Sequence, residues 1–187
     1  MLPTYEKTQR TPFSPLPKGA YVCVIKGAQI LPNKNGNGQH IEICFDIAEG
    51  EYKGFYAEQY KANLNEDKVW SYDARYNLNI PYDGCENWVW QKYNDFLSDL
   101  EDSNDGYVCK DEHTMKGKVF GGKFRIEQNE KNGNIYNHTK LAWTCTADAV
   151  RQGKAGRMPN DKMYTPPHND GFMDIPGSAD DDGLPFN

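Results

Sequence analysis

Apolar and polar positions alternate strictly in one stretch of the chain and recur at helical spacing in another. In Ile41-Glu42-Ile43-Cys44-Phe45-Asp46-Ile47 the apolar residues occupy every second position, which predicts a half-buried strand with Glu42, Cys44 and Asp46 on its far side. The β-rich run Tyr21-Val22-Cys23-Val24-Ile25 predicts a strand before it. The connection Asn33-Lys34-Asn35-Gly36-Asn37-Gly38 supplies residues that tolerate positive φ, as a hairpin requires. Tyr52 to Lys61, rich in Tyr and Phe, is expected to form a third strand after the turn Glu49-Gly50-Glu51. Between Asn63 and Asn79 the pattern weakens, with Trp70 and Tyr72 expected to pack. Val89, Tyr93, Phe96, Leu97 and Leu100 then fall on one helical stripe with Asp95, Asp99 and Glu101 off it, which predicts an amphipathic helix. Two more strands, roughly Lys116 to Gln128 and Ile135 to Thr146, meet at the hairpin signal Asn132-Gly133-Asn134.

Three strands, a helix and a two-strand hairpin follow the order of a five-stranded Greek-key barrel of OB type, mainly β, with one amphipathic helix between strands 3 and 4. Pro3, Pro12, Pro15 and Pro17 make residues 1–18 an extended arm, and the barrel is expected over 19–153. From 154 to 187 Gly, Pro, Asp and Asn dominate, and such a segment cannot bury enough apolar surface to offset its ordering entropy, so a flexible acidic tail is expected.

Charge refines this division. The 187 residues carry a formal −6, yet from Pro159 onward there are six Asp against one Lys, while Lys110 to Arg157 holds ten Lys and Arg against five Asp and Glu. A basic region and an acidic tail are separate features, so the net sign does not exclude a nucleic-acid partner. No run of apolar residues is long enough to span a bilayer, and the opening residues lack a signal-peptide pattern, so a cytoplasmic location and no membrane partner are expected. Five cysteines without a C-x-x-C pair point to reduced thiols.

Strand parity selects candidate contacts. With Phe124 and Ile126 facing a core, Lys123 and Arg125 face outward. With Leu141 and Trp143 facing in, Tyr136, His138 and Lys140 face out. Cations beside rings suit sequence-tolerant binding of unpaired nucleic acid, because cations track phosphates while aromatic faces stack on bases. Lys116 and Lys118 lie in the same basic region, and Lys26 and Lys61, at strand ends, extend the track. Phe55, Tyr56, Tyr60, Trp70, Tyr72 and Tyr136 are the stacking candidates, whereas Phe45, Phe96, Phe124 and Trp143 match aliphatic neighbours and read as core.

The last nine residues place Asp180, Asp181 and Asp182 before Leu184, Pro185 and Phe186. This tip resembles the acidic C-terminal peptide of bacterial single-stranded DNA-binding proteins, with Gly183 inserted and Asn187 following Phe186. Leu16-Pro17-Lys18-Gly19-Ala20-Tyr21, Ile43 to Phe55 and Thr146 to Lys154 resemble phage-encoded single-stranded DNA-binding proteins. The resemblance implies a phage protein with an OB-like core that coats single-stranded DNA in replication and recombination and recruits partner proteins through its tip. Homo-oligomerisation is left open.

Other chemistries find less support. Gly36-Asn37-Gly38 lacks the Gly-Lys-Ser/Thr completion of a phosphate loop, and Cys109 with His113 has no second pair at zinc-ligand spacing, so no metal and no cofactor are expected. No nucleophile–base or clustered-carboxylate spacing points to an enzyme. The alternative is a protein-interaction module that docks host replication or repair enzymes without tight DNA binding.

Overall fold

The computed structural model describes residues 14–34 and 36–166. Its framework is one five-stranded antiparallel sheet built from β1 (Ala20–Pro32), β2 (Gln39–Ile47), β3 (Arg75–Asn79), β4 (Val119–Lys131) and β5 (Asn134–Cys145). The order across the sheet is β3-β2-β1-β4-β5, so β3 and β5 are its two edges. The first strand is long because it serves two partners, β4 through Ala20–Val24 and β2 through Cys23–Pro32. A bulge between Ile25 and Gly27 lets it change direction, and the extra residue, Lys26, is left exposed.

The core follows the alternation read from the sequence. Ile41, Ile43, Phe45 and Ile47 are buried, and the Phe45 ring meets Phe120, Phe124 and Tyr56 edge-on. The helix α2 (Asn87–Asp102) buries Val89, Phe96 and Leu100 from the expected stripe, with Phe96 against Phe120 and Tyr76. It contacts β3, β4 and β5, and thereby spans the opening between the two edge strands. The hairpin turn sits where Asn132 and Gly133 supply positive φ, closed by the Lys131–Asn134 pair.

Three expectations are corrected. Tyr52 to Lys61 is not a strand: a turn leads into the helix α1 (Phe55–Ala62). The cause lies ten residues upstream. Asp46 accepts hydrogen bonds from the backbone N–H of Tyr56 (2.9 Å) and Ala57 (3.2 Å) at the start of α1, and from Ile47 (2.8 Å). The outward side of β2 is therefore covered at this point, and Asp46 is only 2% exposed.

The arm does not stand clear of the body at residues 14–18. Leu16 is buried in the core, and its carbonyl accepts from the hydroxyl of Thr139. Nor does the body stop at 153. After α3 (Ala147–Arg151) the chain returns beside β4, where Lys162 exchanges backbone hydrogen bonds with Ile126 and Gln128, and Asp161 pairs with Lys18 at 2.9 Å. Backbone pairing to the free side of β4 orders a segment whose composition alone gives no reason for it. Residues 1–13 and 167–187, including the tip Asp180, Asp181, Asp182, Leu184, Pro185 and Phe186, lie outside the described residues. No helix among the described residues is long and apolar enough to cross a membrane.

Gly121 and Gly122 mark the tightest packing. A Cβ at Gly121 would lie 2.6 Å from the carbonyl oxygen of Thr146 and 2.8 Å from Cys145 Sγ; at Gly122 it would meet Phe124 at 2.8 Å and Leu141 at 2.9 Å. Each Gly→Ala substitution is expected to lower stability by about 1–3 kcal/mol through overpacking, read as an earlier chemical unfolding midpoint. An unchanged midpoint would show that this corner relaxes freely.

Candidate nucleic-acid interface

The opening between β3 and β5, crossed by α2, holds the most functionally suggestive surface of the described residues. Two contiguous depressions of about 550 and 420 Å³ lie along it, sharing Tyr76, Lys92, Arg125 and Ala142 in their walls. Arg75 reaches it from β3, Lys92 from α2, Lys123 and Arg125 from β4, and Lys140 from β5. Glu42, Glu127 and Asp95 share the groove wall with these five cations, and Asp73 and Asp99 lie just behind it, so which cations are free depends on how the carboxylates are paired.

Pairing decides which of the charges are available. Arg75 reaches Glu42 at 3.3 Å, and Arg125 holds Glu127 through Nη2 at 2.6 Å. Lys140 lies 2.8 Å from Asp73 and donates to the Tyr72 carbonyl at 2.7 Å, while His138 Nδ1 is 3.2 Å from the same carboxylate. These bonds tie β5 to the short 3₁₀ turn Tyr72–Ala74 at one end of the groove. Lys92 and Lys123, by contrast, form no ion pair among the described residues. Burial holds the Lys92 ammonium below its ordinary pKa, with the charge of Arg125 adding to the effect. An arriving anion would offset the repulsion between Lys92 and Arg125.

Rings line the same opening. Trp143 is 43% exposed, with Lys123 Nζ 5.9 Å from its ring centre, and Trp88 on α2 is 50% exposed. Tyr76 forms the floor under Lys92, whose ammonium is 5.2 Å from its ring centre. Tyr72, 69% exposed, carries the Arg75 guanidinium at 4.8 Å.

Trp143 corrects the parity argument. A bulge opposite Lys123–Phe124 inserts Ala142 into β5, so Phe124 faces Leu141 and Lys123 faces Trp143. One inserted residue turns Leu141 inward and Trp143 outward, which strict alternation forbids.

Of the residues selected from sequence, Tyr72, Lys123, Arg125 and Lys140 meet at the groove, with His138 at its end. Tyr60 and Trp70 lie beyond Tyr72, their rings 5.7 Å apart and both half-buried. Trp70 Nε1 donates to the Phe45 carbonyl, and Lys68 sits 4.9 Å from the Tyr60 ring centre.

The others go elsewhere. Tyr56 is 2% exposed in the core and has no ring face for a base. Phe55 packs edge-on against Tyr52 and Tyr56. Lys61 is exposed on α1, and Tyr136 is exposed near the hairpin tip. Lys26, Lys116 and Lys118 form a separate group, because Ile25 is hydrogen-bonded to Gly117 and Lys118, and Lys118 caps the ring of Tyr107 at 4.5 Å.

Sequence reasoning missed Arg75, Lys92, Trp88 and Trp143. For α2 a signal exists: Trp88 and Lys92 sit one turn apart, off the apolar stripe, where a large ring needs an explanation. For Trp143 and Arg75 there is none, since a bulge and a misplaced third strand decide their orientation. Comparison with protein-family models finds none that matches the chain, and comparison with curated proteins finds none similar to it.

Proposed function

We propose that this chain is a non-catalytic single-stranded DNA-binding protein that holds unpaired nucleotides in the groove between β3 and β5. The observation that carries the reading is the pairing, in one open groove, of two half-exposed tryptophans with two ammonium groups, Lys92 and Lys123, that form no ion pair among the described residues. Stacking on aromatic faces tolerates any base, and cations bind the backbone that all sequences share. Only unpaired bases can reach the rings, so duplex binds more weakly.

The strand order supports an OB-type barrel as the scaffold, because joining the edges β3 and β5 would close the five strands into a ring. In this reading the groove is the seam where closure is incomplete, bridged by α2 and by the Asp73 contacts to β5. The reading extends, on the sequence resemblance to phage proteins alone, to a role in replication and recombination in the host cytoplasm, with partner proteins docking on the Asp180–Phe186 tip.

The test is fluorescence anisotropy of a labelled oligonucleotide at two salt concentrations. Binding is expected to weaken steeply with salt, and Trp88→Ala and Trp143→Ala are each expected to cost about 1–3 kcal/mol of affinity. Absence of binding at low salt would end the proposal. Binding that ignores both tryptophans would move the site elsewhere.

A further inference from the structure

The carboxylates around the groove are not equivalent. Glu42 is held by Arg75, Glu127 by Arg125, and Asp73 by His138 and Lys140. Asp99, nearby on α2, accepts from the Thr144 hydroxyl at 2.7 Å. Asp95 alone of the carboxylates lining the groove has neither an ion pair nor a side-chain hydrogen bond among the described residues, and it lines the part between Trp88 and Trp143. A free carboxylate repels phosphate, so a strand lying here must turn its backbone toward Lys92, Lys123 and Arg125 and a base edge toward Asp95.

The helix sets out the matching groups. Trp88, Gln91, Lys92 and Asp95 are spaced three and four residues apart on α2, so a ring, an amide, a cation and a carboxylate project along neighbouring rows. A base stacked on Trp88 would keep its phosphate within the field of Lys92 and offer its edge to Gln91 and Asp95. The carboxylate accepts only, whereas the amide both donates and accepts. Guanine matches this pair best. Its N1–H and N2 amino group donate side by side to a carboxylate, and its O6 accepts from an amide. Thymine has one ring N–H flanked by two carbonyl oxygens, which a carboxylate repels.

We propose that Asp95, with Gln91, makes the Trp88–Trp143 part of the groove a guanine-preferring base subsite within an otherwise sequence-tolerant binding surface. This rests on the single-stranded DNA reading above. The experiment compares a short oligo(dT) with the same oligomer carrying one central guanine, and with one carrying inosine, which lacks the N2 amino group, on the full chain. The guanine oligomer is expected to bind about tenfold tighter than oligo(dT), the scale of one bidentate edge contact, and inosine to recover only part of the gain.

Asp95→Ala should abolish the preference, bringing the guanine and oligo(dT) oligomers to equal affinity, because the acceptor for the guanine N1–H and N2 amino group is gone. Equal affinity of the wild-type chain for all three oligomers, or a preference that survives in Asp95→Ala, overturns this inference while leaving the DNA-binding reading intact. Failure of every oligomer to bind overturns both.

Discussion

Replacing Lys92, Lys123 and Arg125 together by Ala is expected to remove most of the affinity for single-stranded DNA while leaving the fold in place. Each contributes a cation to the region between the rings, and two of them form no ion pair among the described residues. At about 1 kcal/mol per lost phosphate contact, the upper end for exposed ion pairs, the triple variant loses roughly 3 kcal/mol, or more than a hundredfold in affinity. Its salt dependence should fall too, by about 0.7 in the log–log slope per contact and about 2 for the set. The matched control is Lys26, Lys116 and Lys118 changed together, the cations that lie apart from the groove. If the control loses as much affinity as the groove variant, the binding surface has been misplaced.

The second large effect concerns the scaffold. Asp46→Ala is expected to destabilise the chain by about 3–5 kcal/mol, because it strips an acceptor from three backbone N–H groups in a site with almost no access to water. For a chain of this size that corresponds to a thermal midpoint lower by about 10 °C. Asp46→Asn keeps one oxygen but turns an amide donor toward one of those N–H groups, so roughly half of the loss should remain. Because α1 does not line the groove, DNA affinity measured well below the midpoint should be unaffected. A loss under 1 kcal/mol would mean that water replaces the carboxylate and that Asp46 does not anchor α1.

The difference between Asp46 and its neighbours explains what could be read from the sequence. Ile41, Ile43, Phe45 and Ile47 announce β2 through their period, and Val89, Phe96 and Leu100 announce α2, because one element's burial pattern is written in its own residues. Asn132 and Gly133 announce their turn for the same local reason. The helix at 55–62 is different. Its Tyr and Phe content favours a strand, and the group that overrides this preference is a side chain on β2.

The groove was only half legible on the same grounds. Outward parity on β4 selects Lys123 and Arg125, but the groove also needs Arg75, Trp88 and Lys92 from segments brought beside β4 by the tertiary fold. Trp143 is hidden by the Ala142 bulge, which reverses its face without a mark in the pattern. Tyr56 erred in the opposite direction, since an aromatic residue on a helix covered by the sheet serves the core.

The most direct test of the central claim is residue-resolved mapping of bound DNA by backbone amide chemical-shift changes on titration with oligo(dT). The account predicts that the largest changes cluster at residues 75–77, 88–95, 123–125 and 140–144, the two lips of the groove and the helix that crosses it. Changes concentrated around 26 and 107–118, or spread without a cluster, would contradict it.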